Sequence, residues 1–131
     1  MTTLAYDAYQ NYHAVNLGAQ TAQASPVQLV LILMDGLIDE LARARAHIEA
    51  HRYESKAQSL DRALEILNGL TSALDFDSGS EVVLNLGQLY EFCADRLYQA
   101  GVTLDPVKVD EVVSILCTLR EGWHGMQARN G

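Results

Sequence analysis

Glu121 and His124 stand three residues apart, the Glu-x-x-His spacing with which helix bundles hold a di-iron centre. Such a centre takes two copies of the motif and two further glutamates, all facing inward. The chain has no second copy, and Leu119 and Trp123 occupy the stripe that would turn Glu121 and His124 to solvent. His47 and His51 have the i, i+4 spacing of one helix face, but no third ligand or HExxH motif accompanies them. They read as surface histidines. Cys93 and Cys117 make neither a disulfide framework nor a zinc spacing. Cys93 falls on an apolar stripe as a packing residue, and neither thiol has an activating pattern beside it. There is no phosphate loop and no serine nucleophile elbow. The sequence therefore indicates no catalytic residue, no metal and no cofactor; the chain is expected to work by binding.

Composition narrows the partner. With 131 residues, 49% of them hydrophobic, and only two prolines, the chain is expected to form a single domain (1–131) with its own core. Its net charge is −8 and its pI about 4.7. Such a surface repels nucleic acid and anionic membrane unless a basic patch exists. The nine Lys and Arg are instead scattered, most with an acid within a few positions. Six tyrosines and one tryptophan do not make a base-stacking surface against that charge. No basic stretch followed by an apolar run opens the chain, so no secretory signal is read. The apolar run Leu29 to Met34 is far too short to span a bilayer. The expectation is a soluble, cytoplasmic protein with no nucleic-acid partner and no direct membrane insertion.

Any binding surface must be positioned by helices. Ser25 can cap, Pro26 suits the first helical position, and Gln28 stands where a capping box takes Glu or Gln. Val30, Met34, Leu37, Leu41, Ala44 and Ile48 then keep helical spacing to near His51. A second pattern from Tyr53 runs Leu60, Ala63, Leu67, Leu70 and Leu74. In the turn that follows, Ser78 and Glu81 suggest another capping box. The third helix reads Val82, Leu86, Leu89, Cys93, Leu97 and Ala100, closed by Gly101. Asp105-Pro106 opens the fourth, whose seam is Val109, Val112, Leu116, Leu119, Trp123 and Met126, with Trp123 in the core. Equal lengths of roughly 20 to 25 residues and short connections imply an all-α, antiparallel up-down four-helix bundle over residues 25–128. Residues 1–24 are expected to form an N-terminal strap or short helix, with Tyr6, Tyr9 and Tyr12 on one side.

The first two helices carry more apolar surface than a bundle core requires. On a wheel of 100° per residue, Val30, Met34, Leu37, Leu41 and Ile48 fall within about 60° of arc. Leu29, Leu33 and Gly36 lie to one side, and Ile32 lies further round. In the second helix Ile66, Gly69 and Ala73 sit well off the line of Leu60, Leu67 and Leu74. These seven are the candidate partner-binding residues, with glycines that would let another backbone approach closely. The tyrosine strap is a candidate cover, or gate, over them.

Several motifs resemble the flagellar export chaperone FliS family. They are Ala24-Ser25-Pro26 with Leu29, then Met34-Asp35-Gly36, where the family usually carries Tyr before Asp-Gly. Leu74-Asp75, Asn85-Leu86, Leu89-Tyr90 and Leu119-Arg120-Glu121-Gly122-Trp123 follow in the family's order, as do the leading tyrosines. The resemblance implies a non-enzymatic, cytoplasmic chaperone, a helix bundle with its client wrapped round it. It would bind the disordered C-terminal segment of flagellin, prevent premature polymerisation, and deliver the client to a component of the flagellar type III export gate. The N-terminal segment would occupy part of the groove until displaced. A regulatory adaptor that binds an anti-sigma factor, or a flagellar or translational regulator, would use the same grooves.

Overall fold

The computed structural model describes residues 25–130, with the backbone alone at 127, 129 and 130. The expected strap at 1–24, with Tyr6, Tyr9 and Tyr12, lies outside the described residues. Four helices follow in order: α1 (Pro26–Glu49), α2 (Tyr53–Ser72), α3 (Glu81–Thr103) and α4 (Pro106–Asn130). A 3-10 turn, Phe76–Ser78, joins α2 to α3. Among the described residues there is no strand.

The helix starts follow local chemistry. Ser25 Oγ accepts from the Gln28 amide at 3.2 Å while Gln28 Oε1 accepts from the Ser25 amide at 2.8 Å, the reciprocal pair of a capping box. At α4 the Asp105 carboxylate accepts from the Val107 amide at 3.0 Å. Two boundaries, both of α3, depart from the sequence reading. The cap of α3 is Ser80, which accepts from the Val83 amide, whereas Ser78 lies in the 3-10 turn and accepts from the Ser80 amide. Gly101 does not end α3. The helix runs on to Thr103, and Leu104 makes the left-handed cap at φ 58°. At the other connection His51, just past α1, adopts φ 60°.

Contacts fix the register. Arg45 pairs with Asp110 at 2.6 and 3.1 Å, and Arg120 contacts Asp35. The α4 number therefore rises as the α1 number falls, so the two helices are antiparallel. Glu40 with Arg62 and Gly36 with Ile66 give the same sense for α1 and α2. α1 packs on α2 and α4, and α3 packs on the same two helices; the diagonal pairs make no such contact. This is the up-down four-helix bundle that the short connections imply.

The core is the expected stripe. Met34, Leu37, Leu41 and Ala44 meet Leu60, Ala63, Leu67 and Leu70, with Cys93, Leu97, Ala100, Val109, Val112 and Leu116 closing it. Met34 is fully enclosed. Burying each large aliphatic side chain is worth about 1.5–3 kcal/mol, which is what sets the helix faces. The fourth-helix seam holds only over its first half. Leu119 and Trp123 are half-buried against the core, and Met126 is 37% exposed. Trp123 is thus a partly covered side chain rather than a core residue.

Candidate functional site

Most of the candidate partner-binding residues come together along the seam between α1 and α2. An ideal Cβ on Gly36 would lie 3.9 Å from Ile66 Cδ1. Continuing that antiparallel register puts Leu33 level with Gly69 and Leu29 level with Ala73. Exposure rises along the seam: Ile66, Gly36 and Leu33 are half-buried, Gly69 and Ala73 are exposed, and Leu29 is 40% exposed. Leu33 and Ile66 also pack against the core, so they support the bundle as well as line the seam. Ile32 is half-buried and, by its wheel position, belongs to the outer face of α1 rather than to this seam.

The glycines do not bring the helices close. A methyl group on Gly36 would make an ordinary contact, and one on Gly69 would meet nothing within 4 Å. Space beside these glycines is therefore left unused by the bundle itself. The close approaches are elsewhere. A Cβ on Gly87 would lie 2.7 Å from Phe76 Cε1, and one on Gly101 would lie 3.2 Å from Leu60 Cδ1.

At its closed end the seam terminates in charge. Glu40 is fully buried; its carboxylate accepts from Arg43 at 3.3 and 3.1 Å and from Arg62 at 3.5 Å. A buried carboxylate is tolerable only with such partners. Because Arg62 is on α2, the pair also ties the two helices in register. Sequence periodicity did not single out Glu40, since a lone acid on an apolar stripe carries no spacing signal.

A second depression, also missed by the sequence reading, lies between α2 and α3. Its volume is about 1020 Å³. Leu64, Phe76, Leu84, Gly87, Ala94 and Tyr98 supply its apolar surface, with Gln58, Asn68, Thr71 and Gln88 among the polar groups. A signal for it existed: Leu84, Gly87, Ala94 and Tyr98 recur at helical steps on α3, a second stripe beside the core. Phe76 seats its ring on Gly87 at one end, 46% exposed.

Glu121 and His124 are both exposed. His47 Nδ1 accepts from Arg52 Nε at 3.0 Å, and His51 lies beyond the helix, its ring hydrogen-bonded to the Tyr53 hydroxyl. They therefore do not share a helix face. Among the described residues no group of three His, Cys, Asp or Glu could hold a metal ion. Burial pushes the Cys93 thiol up to about 11, which keeps it protonated and unreactive near neutrality. Burial, and secondarily Cys93, also raises Tyr90. No helix among the described residues is long and apolar enough to cross a membrane.

Comparison with known proteins adds what geometry does not. The family model described as flagellar protein FliS matches residues 8–130. A flagellar secretion chaperone FliSB of Pseudomonas aeruginosa is 35% identical over 122 residues, covering 93% of this chain and 97% of the relative. The flagellar secretion chaperone FliS of Salmonella typhimurium is 35% identical over 113 residues, 86% of this chain and 84% of the relative. That of Vibrio cholerae is 32% identical over 114 residues, 87% and 84% of the two chains. A solved structure described as a flagellar chaperone from bacteria superposes with a TM-score of 0.76 at 17% identity. It covers 91% of this chain and 98% of that one, and at this identity it speaks for the fold.

Proposed function

The chain belongs to the flagellar protein FliS family, a family of chaperones and not of enzymes, and on that premise we propose that its client is flagellin. In this reading it holds the disordered C-terminal segment of flagellin in the cytoplasm, prevents premature polymerisation, and hands the client to a component of the type III export gate. The observation that carries the reading is the α1–α2 seam. Leu29, Leu33, Gly36, Ile66, Gly69 and Ala73 there form a continuous apolar strip that the bundle leaves partly uncovered. Ile32 extends the contact round α1, and Tyr6, Tyr9 and Tyr12 act as a gate competing for part of the same surface.

Magnitudes set the extent of the contact. Ordering a disordered client costs about 2–5 kcal/mol and goes with roughly 1,000–3,000 Å² of buried surface. Leu29 to Gly36 spans only about 10 Å of helix. The client must therefore continue beyond the seam, which fits a chain that wraps the bundle. Amphipathic segments laid into helix–helix grooves are a recurrent way to build such contacts.

Calorimetry of a flagellin C-terminal peptide against the full chain tests this. Binding with a negative heat-capacity change is expected, weakened at least tenfold by Leu29→Asp with Ala73→Asp while the helical signal is retained. Absence of binding, or binding indifferent to both changes, would refute the flagellin reading or the seam respectively. Selective capture of a flagellar regulator or anti-sigma factor in place of flagellin would make the protein an adaptor.

A further inference from the structure

The groove between α2 and α3 differs from the α1–α2 seam in its charge. Asp61 and Glu65, one helical turn apart, line it from α2, and Glu91 lines it from α3. Asp95, one turn beyond Glu91, lines the shallow depression that continues the groove over α3 with Phe92 and Tyr98. All four carboxylates are exposed. Arg62 is the single basic residue of the lining, and its guanidinium reaches toward the buried Glu40 on α1. No lysine lines the groove. Its floor is apolar, so acid rails run along both sides of an apolar channel.

The dimensions suit one kind of ligand. The lining runs from Gln58 to Thr71 on α2 and from Leu84 to Tyr98 on α3, about 20 Å in each case at 1.5 Å per residue. A cylinder with the radius of a helix, embedded to half its depth over that length, displaces on the order of 1,000 Å³. The groove, open along one side and about 1020 Å³ in volume, has room of that order. An extended strand would leave most of that width unfilled, and an acidic helix would set its charges against both rails.

We propose that the α2–α3 groove docks an amphipathic helix of three to four turns whose apolar stripe is flanked on both sides by Lys or Arg. The apolar floor provides contact area, and the rails select the flanks and raise the encounter rate, as complementary charge does at protein interfaces. Long basic side chains suit the rails because their methylenes can lie on Leu64, Leu84 and Tyr98 while the charged ends reach the carboxylates. This inference is independent of whether the α1–α2 seam holds flagellin.

Two designed 14-residue helical peptides with the same apolar stripe, one flanked by Lys and the other by Glu, test it against the full chain by fluorescence anisotropy. The Lys-flanked peptide is expected to bind roughly tenfold more tightly at low salt, since several exposed pairs add small increments. That preference should shrink toward parity at 1 M salt, where the Debye length is about 3 Å. A D61N/E65Q/E91Q variant, altered only at exposed positions, should fold normally and bind the two peptides alike. Ala73→Asp in the other seam should leave the preference intact. Equal binding by the native chain, or a preference that survives neutralisation of the three acids, would overturn the charge selection. Failure of both peptides to bind would overturn the groove as a helix dock, and neither result bears on flagellin binding at α1–α2.

Discussion

Adding a methyl group at both seam glycines should stabilise the free protein and weaken its complex. Gly36 is in the middle of α1 and Gly69 lies one turn from the end of α2. In a helix interior, glycine is about 1 kcal/mol less favourable than alanine, because more backbone freedom is lost. The usual reason to keep it is a neighbour that a methyl would strike. Here the nearest atom to a Gly36 Cβ is Ile66 Cδ1 at 3.9 Å, and a Gly69 Cβ meets nothing within 4 Å. Nothing offsets the propensity gain, although it is reduced for Gly69 near the helix end. The Gly36→Ala, Gly69→Ala double variant should therefore gain about 1–1.5 kcal/mol, which is roughly 3–6 °C for a domain of this size. If the client lies on the seam, the same methyls intrude where its backbone would pack, at a cost of about 1–3 kcal/mol. That is a roughly 5- to 150-fold loss of affinity for a flagellin C-terminal peptide. Thermal unfolding and calorimetry on one preparation read both signs. A lower melting temperature would mean that neighbours fill this space in solution, and a higher one with unchanged affinity would show that no client backbone comes near.

Other expectations follow from the same contacts. Gly87→Ala should change stability by less than about 1 kcal/mol, because the helix-propensity gain is cancelled by lost Phe76 burial. A Cβ would lie 2.7 Å from the Phe76 ring, so a fluorine label there should shift while one at Phe92 stays, and an unmoved Phe76 signal would refute the packing. Leu37→Ala should cost about 2.7–5 kcal/mol in urea unfolding, whereas half-buried Trp123→Ala should cost less than about 3; equal costs would place Trp123 in the core after all. In thiol titration at pH 8, exposed Cys117 should react and buried Cys93 should not until the chain unfolds. With its thiol raised to about 11, Cys93 contributes stability that is fully present below the unfolded thiol value of about 8.5. That contribution is lost as pH rises through 11, so stability should fall by about 3 kcal/mol over this window, and by much less in Cys93→Ala.

The helices and their core faces could be read from the chain because their causes are local. The Ser25 capping box needs four consecutive residues, and the stripe from Met34 to Ile48 needs only the helical period. Asp105-Pro106 likewise starts α4 wherever α4 goes. The off-core positions of Leu29, Leu33, Gly36, Ile66, Gly69 and Ala73 are equally a matter of spacing. That these residues meet on one seam is not, because it depends on which face of α1 the second helix chooses. The Glu40–Arg62 pair and the placement of Ile66 beside Gly36 report that choice across 22 and 30 positions of sequence. Ile32 follows the wheel: it lies further round α1, sharing the apolar excess but not the seam. Trp123 shows the limit of the wheel, since a perfect seam pattern does not say how far neighbouring helices extend to cover it. The α2–α3 groove needed the tertiary structure most of all. Leu64 looks like a lone apolar residue on a polar face, and the stripe from Leu84 to Tyr98 like spare apolar surface, until the helices are set side by side and the space between them becomes a groove with acids along it.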